Sequence, residues 1–151
     1  MNDKQLSVSA IKEGTVIDHI PSESLFTVIS ILRLDELDTL VTFGNSFESK
    51  KLGKKGIIKV SDVFFSSEDI DKIALVAPTA KINIIREFEV VEKVKVKIPD
   101  QVTGIAKCVN PACITNHEPV TTKFNVIDKD HLQLKCHYCE KITSKDNLSM
   151  I

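Results

Sequence analysis

All four cysteines of this 151-residue chain lie between Cys108 and Cys139. They form a close pair with four residues between (Cys108, Cys113), a gap of 22 residues, and a closer pair with two residues between (Cys136, Cys139). Two paired thiols on turns, separated by a longer middle segment, is the pattern that brings four soft ligands to one ion in tetrahedral geometry, and zinc suits it. The opening residues, MNDKQLSVSAIKEG, carry no apolar stretch of a secretion signal, and no run approaches the ~20 apolar residues of a spanning helix. The expected location is therefore the cytoplasm, without membrane insertion. Disulfides are disfavoured there, which counts against a covalent staple. Four thiolates fill a tetrahedral ion's positions and leave none open for catalysis. The expectation is one structural zinc per chain, held by Cys108, Cys113, Cys136 and Cys139, in a tail too short to build a large core unaided. His117, His131 and His137 lie nearby and are read as surface residues.

The rest of the chain has a different grammar. GTVIDHI (14–20) is β-rich and bounded by Gly14 and Pro21. Leu25, Val28, Ile29 and Leu32 then fall on one helical face, with Ser22 or Ser24 available as a cap. TLVTFG (39–44) and GIIKV (56–60) read as strands joined by a lysine-rich loop. Ser66 to Asp69 forms a capping-box pattern before a helix that Pro78 stops. AKINIIR and FEVVEKVKVKI read as two further strands, the second alternating Phe88, Val90, Glu92, Val94 and Val96 against Val91, Lys93, Lys95 and Lys97. The order βαββαβ plus one strand predicts an α+β fold: a ferredoxin-like antiparallel sheet with two helices on one face. PDQVTG reads as a linker, and the short alternating runs KFNVI and HLQLKC predict a small all-β zinc-binding domain. Two domains are expected, 1–98 and 101–151.

Charge restricts the partners. The chain has net charge −1, and its tail balances six lysines against six acids with only Phe124 and Tyr138 as aromatics. Neither a phosphate-tracking groove nor a base-stacking platform is evident, so no nucleic-acid partner is expected and the thiol module reads as a protein-binding clasp. In the first domain, Asp18 and His19 end the first strand, while Lys59 and Lys93 sit on the third and last. The first and third strands are neighbours in a ferredoxin-like sheet, so these residues can share a surface. A carboxylate for ribose hydroxyls and two ammonium groups for phosphates would make a nucleotide site. A local Asp–His hydrogen bond with solvated strand lysines is the plainer reading. The run Lys50, Lys51, Lys54, Lys55 lacks P-loop spacing and reads as a hairpin loop. The alternatives left open are an independent zinc-ribbon protein acting on nucleic acid or another protein, and a small nucleotide-converting enzyme, for which no nucleophile motif is present.

Several strings together resemble the regulatory chain of aspartate carbamoyltransferase: AIKEGTVIDHIP (10–21), GIIKV before a Ser-led acidic helix, LVAPTAKINII (75–85), FEVVEK (88–93), CVNPACI (108–114), EPV (118–120) and KCHYCEK (135–141). The resemblance spans nearly the whole chain. It implies a non-catalytic chain whose first domain binds ATP and CTP as allosteric effectors and pairs with a second copy, and whose zinc domain docks on catalytic chains that begin pyrimidine synthesis. It implies that Asp18 contacts ribose, that His19 beside it contacts ribose and phosphate, and that Lys59 and Lys93 serve sugar, base and phosphate. It implies further that Ser9, Ala10 and Ile11 read the base, that Val16, Asn83, Ile85 and Val90 wall the pocket, that Lys55 lies near the triphosphate, and that Asn110 touches the catalytic chain. Phe88 departs from the tyrosine often found there.

Overall fold

The computed structural model describes residues 10–151, and the chain divides into two compact units between Lys97 and Ile98. In the first, β1 (Gly14–Pro21) leads through a 3-10 turn at Ser22–Ser24 into α1 (Leu25–Ile31). Then come β2 (Val41–Ser49), β3 (Gly53–Ser61), α2 (Ser67–Val76), β4 (Lys81–Arg86) and β5 (Glu89–Lys95). The strands form one antiparallel sheet in the order β2-β3-β1-β4-β5. This is the βαββαβ arrangement with β5 added beyond β4. Ile17 lies opposite Ile58 on one side and Ile82 on the other, and this aliphatic row is fully buried with Leu25 and Val28 of α1 and Ile73 and Leu75 of α2. The next residues along the same strands, Val16, Lys59 and Asn83, point to the opposite face and are only half-buried. One sheet face is therefore core, and the other is open for a site.

Local chemistry explains most boundaries. Ser66 caps α2: its Oγ accepts the Asp69 N–H at 3.2 Å and donates to Asp69 Oδ2 at 3.1 Å. Neither Ser22 nor Ser24 makes such a bond, so α1 starts from its 3-10 turn without a side-chain cap. Gly14 has φ 138°, and a Cβ there would stand 2.1 Å from the Val60 carbonyl oxygen, so only glycine lets β1 start this close to β3.

Two expectations are corrected. The lysine-rich segment 45–55 is mostly strand, with the turn confined to Lys50–Leu52, because β2 and β3 keep pairing out to Ser49 and Gly53. The alternation along β5 is also broken. Ile85 pairs with Val90 but Ile84 pairs with Glu92, so a bulge absorbs one residue. Asn83 then faces Lys93, and Val90 shares the open face with Lys93 instead of opposing it.

The second unit is all-β. β8 (Lys123–Asp128), β9 (Gln133–Cys136), β10 (Ile142–Ser144) and β6 (Gln101–Thr103) form a sheet in the order β10-β9-β8-β6. β7 (Ala106–Lys107) pairs with β11 (Ser149–Met150). Val102, Phe124 and Leu134 are its fully buried core side chains, with Ile105 and Leu132 close behind. Thr122, also buried, satisfies its hydroxyl on the Ala106 carbonyl at 2.7 Å.

Candidate functional site

The second unit brings its four thiols together. Cys108 follows β7, Cys113 opens the turn at Ile114–Asn116, Cys136 ends β9, and Cys139 lies in the turn before β10. Their sulfurs all lie within 4.8 Å of one another, with Cys108 to Cys139 at 3.6 Å and Cys113 to Cys136 at 3.8 Å. The two knuckles are built by backbone bonds: Cys113 N–H to Asn110 O at 3.0 Å, and Glu140 N–H to Cys136 O at 3.0 Å, with Glu140 left-handed at φ 63°. Asn116 donates to the carbonyls of Cys108 (3.1 Å) and Asn110 (2.7 Å), and Asn110 Oδ1 accepts the Ala112 N–H at 3.0 Å. Asn110 is thus part of the first knuckle.

Burial pushes the Cys108 thiol up to about 12, whereas for Cys139 burial is outweighed by hydrogen bonds from Lys141 and Asn110 that hold it down at about 7. Packing four such sulfurs together fits a cation that takes the place of their protons. None of the four histidines joins the cluster. His131 pairs with Asp128 at 3.0 Å on the surface and His137 sits edge-on to Tyr138.

The first unit carries a cavity of about 240 Å³ on its open sheet face, lined by Ala10, Ile11, Val16, Lys59, Asn83, Ile85, Phe88 and Val90. These come from four strands (β1, β3, β4 and β5), from the segment ahead of β1 and from the β4–β5 turn. Lys59, Val16, Asn83 and Lys93 form one lateral row across β3, β1, β4 and β5. Lys93 lies in that row but not in the cavity wall. Two residues further along, roughly 6.8 Å away, runs a second row in which Asp18 faces Lys81 and Lys81 faces Lys95.

Asp18 is the hub of this end. Its Oδ1 takes the Lys55 ammonium at 2.9 Å and the His19 N–H at 2.6 Å. His19 is left-handed (φ 59°), at the irregularity where β1 shifts register against β3. Its Nδ1 stands 3.4 Å from Asp18 Oδ2, near enough for attraction but with no hydrogen bond made. Burial, reinforced by Lys55, Lys81 and Lys51, holds the His19 imidazole below its usual pKa despite Asp18. Burial likewise lowers the Lys59 ammonium, with Asp18 opposing.

A second cavity of about 280 Å³ adjoins His19 and is lined by Lys51, Lys81, Lys95 and Thr79 among others, with no carboxylate in its wall. Ala10, Ile11, Val16, Lys59, Asn83, Ile85 and Val90 are therefore brought to one cavity, and Asp18, His19 and Lys55 to a cluster. Ser9 lies outside the described residues. The basic residues at the second cavity were not singled out as a group from the sequence. Their only signal is register: Lys81 and Lys95 become neighbours of Asp18 once strand pairing is known.

An aliphatic cavity beside a basic one, on the open face of a ferredoxin-like sheet, together with a separate four-thiol centre, defines a class: a chain with one cavity-bearing α+β unit and one small β unit built for a metal. Residues 6–97 match the family model described as the aspartate carbamoyltransferase regulatory chain, allosteric domain, and residues 100–149 match that chain's metal binding domain. The chain belongs to the aspartate carbamoyltransferase regulatory chain family, and is a regulatory, non-catalytic subunit. It is 59% identical over 150 residues to the regulatory chain of Phocaeicola vulgatus (99% of this chain, 97% of the relative). It is 56% identical over 150 residues to that of Bacteroides fragilis (99% and 98%). It is also 56% identical over 146 residues to that of Pyrococcus furiosus (95% and 96%). No helix among the described residues is long and apolar enough to cross a membrane.

Proposed function

We propose that the first domain (1–98) binds nucleoside triphosphates, ATP and CTP, as allosteric effectors, and that the second (101–151) holds zinc and docks on aspartate carbamoyltransferase catalytic chains, carrying the effect to them in the cytoplasm. The observation that carries the effector reading is the pairing of cavities. The 240 Å³ cavity has aliphatic and aromatic walls with Asn83 and Lys59 as its polar groups, which suits a nucleobase and ribose. Along β1, Asp18 falls between Val16 of this cavity and His19 of the basic one, where Lys51, Lys81 and Lys95 suit a polyphosphate. In this reading Ser9, Ala10 and Ile11 read the base, Val16, Asn83, Ile85 and Val90 wall it, Asp18 takes ribose hydroxyls, and His19, Lys55, Lys59 and Lys93 serve sugar and phosphate.

Zinc is favoured by sulfur geometry. A tetrahedron with Zn–S bonds of about 2.3 Å has edges of about 3.8 Å, and the sulfur pairs stand at 3.6 and 3.8 Å. Zinc would supply no chemistry beyond fixing the two knuckles. What it would hold in place is Asn110 between the first two ligands, with half-exposed Ile114 and Tyr138 flanking the ligands, a small apolar surface suited to a protein partner.

Pairing of the first domain with a second copy is supported by the sheet's β2 edge. There Phe26, Leu40 and Phe43 are exposed, and the Phe26 and Phe43 rings meet edge-to-face at 5.7 Å.

The test is assembly of the chain with catalytic chains, followed by aspartate saturation with and without ATP or CTP. The chain alone should form no carbamoyl aspartate. In the complex, nucleotide should shift the substrate response several-fold, as coupling of ~1–3 kcal/mol implies. An assembled complex that ignores every nucleotide would leave only a scaffold.

A further inference from the structure

The turn from β4 to β5 is built from residues unsuited to it. Its two central residues, Glu87 (φ 50°) and Phe88 (φ 68°), are both left-handed, the type I′ geometry that Asn-Gly normally occupies. No glycine or asparagine relieves it, so something outside the turn must hold it.

Three contacts from the segment ahead of β1 do so. Glu13 Oε2 accepts the Glu87 N–H at 2.7 Å, Glu13 Oε1 accepts from Arg86 Nη1 at 3.3 Å, and the Lys12 carbonyl accepts the Phe88 N–H at 3.0 Å. Arg86 is steadied in turn by Phe64, its guanidinium carbon lying 4.1 Å over the ring. Glu13 also accepts the Asp62 N–H on its own carbonyl at 2.9 Å. One residue thus ties the segment ahead of β1, the end of β3 and the β4–β5 turn together.

What the turn carries is Phe88. It lines the 240 Å³ cavity together with Ala10 and Ile11, which lie directly upstream of Lys12 and Glu13. The same short segment therefore supplies part of the cavity wall, at Ala10 and Ile11, and the anchor for the turn that brings Phe88 to it.

We propose that Glu13 is a positioning residue for base recognition: its carboxylate holds the strained Glu87–Phe88 turn so that Phe88 closes the cavity on a nucleobase. This rests on the nucleotide reading above. It also makes a claim that stands without ligand, namely that the turn's conformation depends on the Glu13 carboxylate.

The experiment compares wild type, Glu13→Ala, Glu13→Gln and the double variant Glu13→Ala with Glu87→Gly, each as the zinc-loaded full-length chain. Glycine adopts the left-handed conformation at no steric cost, so the double variant should regain the turn without the carboxylate. Two quantities are read: amide exchange at Phe88, and dissociation constants for ATP, CTP and inorganic tripolyphosphate.

Glu13→Ala should speed Phe88 exchange and weaken both nucleotides about fivefold to thirtyfold, while tripolyphosphate, which has no base, binds as in wild type. Glu13→Gln keeps one acceptor oxygen and should fall between. The double variant should restore Phe88 protection and nucleotide affinity together. Unchanged Phe88 exchange in Glu13→Ala overturns the proposal whatever binds. So does nucleotide weakening that tripolyphosphate shares, or that glycine fails to rescue. If the wild-type chain binds neither nucleotide, the effector reading and the base-recognition role fall together, and Phe88 exchange still decides whether Glu13 holds the turn.

Discussion

Removing the metal should separate the two halves of the molecule's behaviour. In the second unit Val102, Ile105, Phe124, Leu132 and Leu134 are the large buried apolar side chains apart from the thiols. At roughly 1.5–3 kcal/mol each, their burial contributes about 8–15 kcal/mol before chain entropy is counted. A structural zinc contributes ~10–16 kcal/mol of apparent binding free energy near neutral pH, so zinc on the four thiols would be as large a term as the whole apolar core of that unit. The first unit buries Ile17, Ile20, Leu25, Val28, Ile58, Val60, Ile73, Leu75 and Ile82 completely or nearly so, and its sequence contains no cysteine. Capping the thiolates with a mercurial, or the substitution Cys113→Ser, should therefore unfold Ile98–Ile151 and leave the sheet of β1 to β5 intact. The assay is residue-resolved amide exchange with zinc content measured in parallel. Protection should vanish at Phe124 and Leu134 and persist at Ile17, Ile58 and Ile82. Nucleotide binding should survive, docking on catalytic chains should not, and both should return when zinc and thiol are restored. Retained protection at Phe124 and Leu134 in zinc-free protein would refute the reasoning. Loss of nucleotide binding together with the tail would show that the units do not stand independently.

Lys93→Ala should weaken ATP and CTP equally, because an exposed ammonium reads phosphate and not base. Discounted for solvent, the contact is worth about 1 kcal/mol, or roughly fivefold, and titration calorimetry giving wild-type affinity would remove Lys93 from the site. Nucleotide affinity should rise as pH falls through the His19 range. Free His19 titrates below 6.5 because burial and then Lys55, Lys81 and Lys51 disfavour its charge against Asp18, whereas a bound polyphosphate favours that charge. Proton uptake on binding is therefore confined between the lowered free value and the raised bound one, at up to about tenfold in affinity per unit of difference. Wild-type and His19→Asn chains with the same pH profile would exclude it. Gly14→Ala should cost about 3 kcal/mol or more by chemical denaturation, since its Cβ would meet the Val60 carbonyl oxygen at 2.1 Å, and a drop under 1 kcal/mol would show that β1 and β3 part easily.

Legibility in the sequence followed the range of the interaction that sets each feature. β1 is bounded by Gly14 and Pro21, α2 by the Ser66 cap and Pro78, and the cysteine pairs by spacing alone. All of these are local, and all were readable. The bulge in β5 was not, because EVVEKVK alternates well enough without one and only pairing with β4 reveals the phase change. The Glu87–Phe88 turn carries none of the usual turn residues, its conformation being imposed from Glu13, 74 residues earlier. The basic cavity escaped for a similar reason: Lys51, Lys81 and Lys95 come from separate elements and meet only through tertiary register. The aliphatic walls Val16, Ile85 and Val90 look like ordinary strand residues, and it was family resemblance, not pattern, that marked them.

The two edges of the first sheet bear on where each partner goes. An unpaired strand edge invites association unless charge, irregularity or a cover blocks it. At β5, four of the seven residues are charged (Glu89, Glu92, Lys93 and Lys95), and a bulge breaks the edge near Val90. Such an edge resists pairing with another strand while leaving lysines free to meet a soluble anion, which agrees with a nucleotide site on this side. At β2, Glu48 is the one charged residue in nine, and Leu40, Phe43 and Phe26 lie exposed around it. That edge has little of its own to prevent association, which agrees with burial against a second copy. Changes of charge should then act on different properties at the two places. Phe43→Lys should shift the isolated chain toward monomer in sedimentation and leave nucleotide affinity near wild type, because Phe43 is on the strand farthest from β4 and β5. Lys95→Glu should weaken polyphosphate binding and leave the sedimentation coefficient unchanged. If Phe43→Lys has no effect on association while Lys95→Glu abolishes it, the two edges have been assigned the wrong way round.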